Sequence, residues 1–301
     1  MLLRTSEAGR VTQRYRTISF LSDFGTVDES VGVVKSVLRS IAPDAAVVDI
    51  THEIPAHDVK AGGLTLARAA QYLAPGIVLA VVDPGVGTDR RAVAVEVGDG
   101  ESVLIGPDNG LLAPAVAMVG GATRAVELVN ADYQLPSPGA TFGARDIFGP
   151  AAAHLCAGVR FEDLGPLIPT RTLTPALLPI ARPEAGGLDC EVFWVDRFGN
   201  AQLNIGPEEI VEWGDRVLIR VGDDERTATV ADAYGDLGPG HIGLVIDSYG
   251  LLSVALDRRS AAEELDLSAG DLVHVGPIPD RDGGAEPASG ISTPVSLRER
   301  P

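Results

Sequence analysis

The chain has 301 residues, of which 45% are hydrophobic and 22% charged, a balance typical of a folded protein with a full core. Its formal net charge of −18 repels phosphate backbones, so we expect no nucleic-acid partner. No apolar run reaches the roughly 18 residues of a membrane-spanning helix, and residues 1–16 lack the apolar centre of a signal peptide. We therefore expect a cytoplasmic protein with no membrane partner. Two cysteines, Cys156 and Cys190, are too few for a disulfide framework or a zinc cluster.

Strand and helix signals alternate through the first half of the chain. Strands are predicted at 17–21, 46–50, 77–82, 92–97, 102–105 and 124–129. Amphipathic helices are predicted at 31–41, 59–73, 111–119 and 147–158. The order strand, helix, strand implies right-handed crossovers and a mostly parallel sheet flanked by helices.

Short strand signals fill the second half of the chain. They lie at 190–195, 217–221, 227–230, 243–246, 251–255 and 272–275, and they predict a smaller antiparallel domain resembling a β-barrel. We therefore predict an N-terminal α/β domain at 17–172 and a C-terminal β domain at 188–277. A linker rich in Pro, Thr and Leu is predicted between them at 173–187, and a disordered tail at 278–301.

The stretch from Asp83 to Arg91 is the first candidate for a functional site. A buried strand ends there in a loop that contains Pro84, Gly85 and Gly87, and this loop can bring Asp83 and Arg90 into one small volume. A carboxylate and a guanidinium that are close and partly dehydrated can hold and polarise a water molecule or a small polar ligand. An ordinary turn with a structural ion pair is the alternative.

Three aspartates, Asp23, Asp49 and Asp83, each stand at the carboxyl end of a predicted strand. In an open parallel sheet the ligand crevice lies outside those ends. We therefore favour a site at this edge over a row of solvated loop tips. His57, in the loop before the second helix, lies on the same edge and could approach it.

Several common site motifs are absent from the sequence. There is no G-x-G-x-x-G opening a helix after the first strand, no P-loop and no G-x-S-x-G, and the histidines lack metal-site spacing. The loop carboxylates, amides and arginines that are left suit polar small-molecule recognition and acid–base or water chemistry. We expect no metal and no cofactor.

Several motifs in chain order carry a resemblance to a known family. They are Ser22-Asp23-Phe24-Gly25, Asp49-Ile50-Thr51-His52, Asp83-Pro84-Gly85-Val86-Gly87-Thr88 with Arg90-Arg91, Pro107-Asp108-Asn109-Gly110, Thr141-Phe142 with Arg145-Asp146, and Asp196 with Phe198-Gly199-Asn200. Together they resemble the S-adenosyl-L-methionine (SAM) hydroxide adenosyltransferases, relatives of the fluorinases and chlorinases. The similarity covers roughly residues 17–276.

The resemblance implies a fold, an assembly and a reaction. It implies a homotrimer in which the site lies between the N-terminal domain of one subunit and the C-terminal domain of its neighbour. SAM would be the substrate, and displacement at the ribose 5′ carbon would give adenosine and L-methionine. The implied catalytic residues are Asp83 and Arg90, which would position and polarise the attacking water. The implied substrate-binding residues are Asp23 at the ribose hydroxyls, Asp196, Asn200 and Ser248 near the methionine or adenine groups, and Asn109, Phe142 and Phe198.

One position departs from the pattern of this family. Hydroxide-using members usually carry a histidine directly after the Thr-Phe pair, whereas this chain has Gly143, followed by Ala144 where glycine is usual. Either the Asp–Arg pair suffices, or turnover is slow, or the nucleophile is not water. A halide-using adenosyltransferase and a non-catalytic SAM or adenosine binder therefore stand as alternatives to the hydrolase. Fluorinases have tyrosine at the position of Asp83, and a carboxylate there repels halide.

Overall fold

The structure, a computed structural model, describes residues 15–278. These residues divide into two compact units, the first ending at Pro179 and the second beginning at Ile180. The division falls inside the segment predicted as a linker. The predicted disordered tail lies outside the described residues from residue 279 onward. None of the helices in the described range has the length and apolar character that crossing a membrane requires.

The first unit is built on a seven-stranded sheet. Its strands are β1 (Thr17–Ser22), β2 (Ala46–Thr51), β3 (Ile77–Val81), β4 (Ala92–Val97), β5 (Ser102–Pro107), β6 (Ala122–Glu127) and β7 (Leu167–Ile168). Their order across the sheet is β2-β1-β3-β5-β4-β6-β7. Because β4 runs antiparallel to both β5 and β6, five strands point one way and only β4 and β7 point the other.

Helices cover both faces of this sheet. They are α1 (Ser30–Ile41), α2 (Val59–Ala70), α3 (Ala113–Met118) and α4 (Gly149–Cys156). One apolar cluster joins the sheet to Val34 of α1 and Leu155 of α4, and a second joins it to Leu66 of α2. Alternate residues of β3 belong to the two clusters and all five are buried, as expected of a central strand covered on both faces. The predicted α/β fold is confirmed.

The second unit is a closed barrel. Its elements are β8 (Arg182–Glu184), β9 (Gly187–Val195), β10 (Ala201–Leu203), β11 (Arg216–Val221), β12 (Asp224–Ala231), β13 (Ile242–Ile246), β14 (Leu252–Leu256), β15 (Leu272–Pro277) and α5 (Ala261–Leu265). Seven strands form the barrel, in the order β10-β14-β13-β12-β11-β15-β9, and the pairing of β10 with β9 closes it. Strand β8 pairs with β9 but is not one of these seven strands. One pairing departs from the predicted antiparallel pattern, because β12 and β13 run parallel.

Candidate active site

The chain turns sharply after β3 and returns Arg90 to Asp83. The Val86 amide donates to the Asp83 carbonyl at 3.2 Å, and Thr88 Oγ1 donates to the Gly85 carbonyl at 2.7 Å. This turn brings Arg90 Nη2 into a hydrogen bond with Asp83 Oδ2. The two side chains are only 5% and 15% exposed, for Asp83 and Arg90 respectively. The predicted pairing of the two residues is therefore present and buried.

Each side chain of this pair has one polar atom without a protein partner. Asp83 Oδ1 and Arg90 Nε are both buried and have no hydrogen-bond partner. Burial raises the pKa of the Asp83 carboxyl, the Arg90 charge and hydrogen bond and the Gly85 backbone amide oppose that rise, and the negative charge of Asp23 adds to it. A buried carboxylate oxygen without a partner costs free energy, so such atoms in a native fold call for a specific occupant. A carboxyl whose pKa is raised is also a better proton acceptor.

Asp23 lies in the loop that follows β1, close enough to Asp83 for its charge to act there. Its Oδ2 atom accepts a hydrogen bond of 2.9 Å from the backbone amide of His57. His57 has φ of +69°, an uncommon conformation for a residue other than glycine, and its side chain is exposed. The structure thus brings Asp23, Asp83 and Arg90 together and ties the His57 backbone to the same group.

Asp49 does not join this group. It lies within β2, opposite Phe20 of β1, and its Oδ2 atom accepts a hydrogen bond of 2.5 Å from Lys35 on α1. The expectation of three carboxylates at one crevice is therefore wrong for Asp49, because β2 continues to Thr51 and so places this aspartate before the end of the strand.

Asn109 contacts the residue before Asp83, and Phe142 contacts the loop that carries Asp23. The Asn109 side chain donates to the Val82 carbonyl at 2.9 Å and accepts from the Leu111 amide at 3.1 Å, so it fixes the backbone just before Asp83. The Phe142 ring meets the Phe24 ring edge-on, with centroids 5.9 Å apart, and so contacts the loop that carries Asp23. The substrate-binding roles of both residues remain predictions.

Gly143 begins the turn before a π-helix, residues 144–148. A Cβ atom at this position would lie 3.0 Å from Cε2 of Phe148, which is fully buried. The Arg90 guanidinium in turn lies 5.4 Å from the centroid of the same Phe148 ring. The glycine therefore leaves room for an aromatic ring that supports Arg90.

In the second unit, Asp196 organises the turn between β9 and β10. Its Oδ1 atom accepts from the amides of Phe198 at 2.8 Å and Asn200 at 2.9 Å, and its Oδ2 atom accepts from Asn200 Nδ2 at 2.8 Å. Gly199 has φ of +82°, and a Cβ atom there would overlap Ser260. The Phe198 side chain is consequently presented to solvent and is 72% exposed.

A second turn of the same design carries Ser248. Asp247 Oδ1 accepts from the amides of Tyr249 at 2.8 Å and Leu251 at 3.2 Å, which repeats the contacts of Asp196 at the same two spacings. The pattern aspartate, any residue, aromatic residue, glycine is visible in the sequence at both places, although we predicted only the first aspartate as a site residue. Burial raises the pKa of Tyr234, and the charges of Asp196 and Asp247 raise it further, so all three groups belong to one surface.

Comparison with known families agrees with this architecture. The model of the SAM hydroxide adenosyltransferase N-terminal domain matches residues 18–165, and that of the C-terminal domain matches residues 190–274. The chain therefore belongs to the SAM hydroxide adenosyltransferase family, and the resemblance seen in its motifs is confirmed.

Several named proteins and one solved structure are similar to this chain over most of their length. A protein of Salinispora tropica named (R)-S-adenosyl-L-methionine hydrolase is 43% identical, over 86% of this chain and 97% of its own length. A Thermus thermophilus protein of the same name is 42% identical, over 85% and 97%. A fluorinase of Actinopolyspora mzabensis is 30% identical, over 86% and 96%. A crystal structure of an uncharacterized conserved protein from Thermotoga maritima superposes with a TM-score of 0.80 at 33% identity, covering 86% of this chain and 99% of that one.

Proposed function

We propose that the chain hydrolyses SAM by attack of water at the ribose 5′ carbon, giving adenosine and L-methionine. The observation that carries this proposal is the buried Asp83–Arg90 pair, in which one oxygen and one nitrogen have no partner. A water molecule between these two atoms would satisfy both of them. The names of the relatives specify the (R) configuration at sulfur, so we propose that epimer as the substrate.

The chemistry needs a base and a fixed geometry more than it needs an acid. As the oxygen of water bonds to C5′, the C5′–S bond breaks, and its electron pair leaves sulfur as the neutral thioether of methionine. One water proton passes to Asp83 and then to solvent, so the reaction releases one proton. Attack on a sulfonium cancels charge, and a site shielded from bulk water favours that step.

Arg90 would hold Asp83 in the orientation that the step needs. Its Nη1 atom donates to the Arg91 carbonyl at 2.5 Å, its Nη2 atom donates to Asp83, and its Cζ atom lies over the Phe148 ring. These contacts fix the guanidinium, so its unpartnered Nε–H has a set direction in which to donate to the oxygen of the attacking water. Asp23, anchored by the His57 amide, would accept hydrogen bonds from the ribose hydroxyls through its other oxygen.

The second unit would supply recognition of the remaining substrate groups. Phe198 is exposed and can stack on a flat base, while Asn200 and Ser248 lie in turns with polar groups at the surface. Asp196 and Asp247, the aspartates of these two turns, place negative charge near each other, which suits binding of the methionine ammonium. These roles come from the family resemblance and the local contacts together.

We also propose the homotrimer that the resemblance implies, with each site completed by the C-terminal domain of a neighbouring subunit. Light scattering coupled to size exclusion should then give three times the chain mass of 31.3 kDa. A monomer that hydrolyses SAM at the full rate would contradict the shared site. The cytoplasmic location remains a prediction for this function.

One labelling experiment tests the reaction. Purified protein is incubated with (R)-SAM in water enriched in oxygen-18, with and without chloride or fluoride, and the nucleoside product is identified by mass spectrometry. Hydrolysis at C5′ predicts adenosine that carries one oxygen-18 atom at its 5′ hydroxyl, at the same yield with or without halide. Buffer alone and (S)-SAM serve as controls.

Three other outcomes would each overturn the proposal in a defined way. A 5′-halogenated nucleoside would assign the chain to the halide-using relatives. Intact SAM after long incubation, together with tight binding by calorimetry, would make the protein a binder. Unlabelled adenosine above the buffer control would mean that the new oxygen does not come from water.

A further inference from the structure

A buried histidine outside the Asp83–Arg90 pair joins the ends of the first two strands. His52 follows β2 and is 5% exposed, and its Nδ1 atom lies 2.8 Å from Oγ of Ser22, the last residue of β1. Its backbone carbonyl accepts a hydrogen bond of 2.7 Å from the Gly25 amide. One residue therefore holds both ends of the loop 22–25, which carries Asp23.

A β-bulge aims His52 at this loop. The register of β1 against β2 pairs Phe20 with Asp49 and then Leu21 with Thr51, which leaves Ile50 as an extra residue. Bulges of this kind redirect the following side chain and are frequent beside active sites. The Phe20 ring meets the imidazole edge-on with centroids 4.6 Å apart, so the ring plane of His52 is fixed as well.

The two ring nitrogens of His52 face different neighbours. Its Nε2 atom lies 3.2 Å from Asp49 Oδ1, a contact outside hydrogen-bond geometry. The tautomer that carries its proton on Nε2 turns that proton toward the carboxylate and leaves Nδ1 to accept from the Ser22 hydroxyl. The other oxygen of Asp49, Oδ2, accepts a hydrogen bond from Lys35. The Ser22 oxygen then accepts a long contact of 3.4 Å from the Phe24 amide.

The serine, histidine and aspartate of this group look like a nucleophilic triad, but they cannot act as one here. Ser22 is fully buried, so a substrate cannot reach its Oγ atom. That oxygen also faces the Phe24 amide in the same loop. The group holds the backbone rather than reacting.

We propose that His52 is a positioning residue for this reaction, acting through Ser22 on the loop that aims Asp23 at the substrate ribose. This rests on the proposed function, in which Asp23 binds the ribose hydroxyls. Loss of the His52–Ser22 bond should weaken a contact that is made equally in the ground state and the transition state. Such a loss raises KM and leaves kcat nearly unchanged.

The test compares the binding of adenosine and 2′-deoxyadenosine by calorimetry. The wild type should prefer adenosine by about 10- to 100-fold, the usual effect of a hydrogen bond to a charged group. His52→Ala and Ser22→Ala should each reduce this preference to about threefold or less, with a smaller loss of affinity for 2′-deoxyadenosine, which keeps only the 3′ hydroxyl, than for adenosine. Every substitution keeps the residue 52 carbonyl that accepts from the Gly25 amide, so the comparison addresses the side chain.

Two conservative variants sharpen the test. In His52→Asn the amide reaches the position of Nδ1 and can accept from Ser22, so most of the preference should return. In His52→Gln the amide lies nearer the position of Nε2, so the preference should stay low. His154→Asn, in α4 against Tyr133 at 5.1 Å between ring centroids, is the control for loss of a partly buried histidine and should keep the full preference.

The outcomes separate this proposal from the proposed function. If the wild type hydrolyses SAM and prefers adenosine, but His52→Ala and Ser22→Ala keep that preference, then the positioning role is wrong. The same follows if His52→Ala lowers kcat and leaves KM unchanged. If the wild type yields no adenosine from SAM, the proposed function fails, and the binding comparison still decides whether His52 orients Asp23.

Discussion

Replacing Asp83 with asparagine is the most direct test of the proposed catalytic pair, Asp83 and Arg90. The amide keeps the shape of the carboxylate and an oxygen that accepts from Arg90, while Oδ1 has no protein partner to lose. The substitution therefore removes the proton acceptor with little change in packing. A positioned general base contributes about 10²- to 10⁴-fold, or about 3–5 kcal/mol of transition-state stabilisation. We expect kcat to fall by that factor and KM to change by less than about threefold.

A second buried carboxylate in the same unit supplies a matched control. Glu96 on β4 is 3% exposed and accepts from Arg124 on β6, so Glu96→Gln also replaces a buried, arginine-bound carboxylate by its amide. Adenosine formation at saturating SAM is followed by chromatography, and the melting temperature of each variant is recorded. Glu96→Gln should keep kcat. The assignment of Asp83 as the base is refuted if Asp83→Asn retains more than about a tenth of kcat, or if both variants lose activity equally.

Three further outcomes are expected. The proposed general base, Asp83, would act in its deprotonated form, and burial raises its pKa. The value of kcat/KM should therefore rise with pH through a midpoint above about 3.9, the ordinary pKa of an aspartate, and Arg90→Gln, which removes an opposing charge, should move this midpoint to higher pH. Gly143→Ala places a Cβ atom 3.0 Å from Phe148, so thermal denaturation should show a loss of about 1–3 kcal/mol, and unchanged stability would contradict the crowding. Phe198→Ala should raise KM by the equivalent of about 1–3 kcal/mol of lost stacking and leave kcat unchanged. The melting temperature should not change, because the ring is exposed. An unchanged KM would show that Phe198 does not bind the substrate.

Most elements of the fold could be predicted because their signals are local. The strand at 92–97 was predicted with the bounds of β4, and the helix predicted from residue 59 begins where α2 begins, with the Asp58 side chain accepting from the Ala61 amide at 2.8 Å. Which strands become neighbours depends on contacts that are distant in sequence. Hydrophobic periodicity therefore did not show that β4 inserts between β5 and β6, or that β12 pairs with β13 in parallel.

The same distinction between local and long-range contacts applies to the candidate site. The pairing of Asp83 with Arg90 was predictable, because only six residues separate them and Pro84, Gly85 and Gly87 among these favour a turn. The position of Asp49 was not, since β2 continues to Thr51 and pairs Asp49 with Phe20 before the end of the strand. The bulge at Ile50 then brings His52 against Ser22, thirty residues away along the chain, a contact that no local sequence pattern predicts.

The two cysteines have a practical consequence for measuring how this chain unfolds. Cys156 lies in α4 of the first unit and Cys190 in β9 of the second, and both are fully buried thiols whose pKa burial raises to about 12. Neither thiol is reactive while its unit stays closed, since the thiolate is the reactive form. Each unit therefore contains one intrinsic probe of its own opening. Pulsed alkylation followed by peptide mass spectrometry would report separately on the α/β unit and on the barrel, with no label engineered into either.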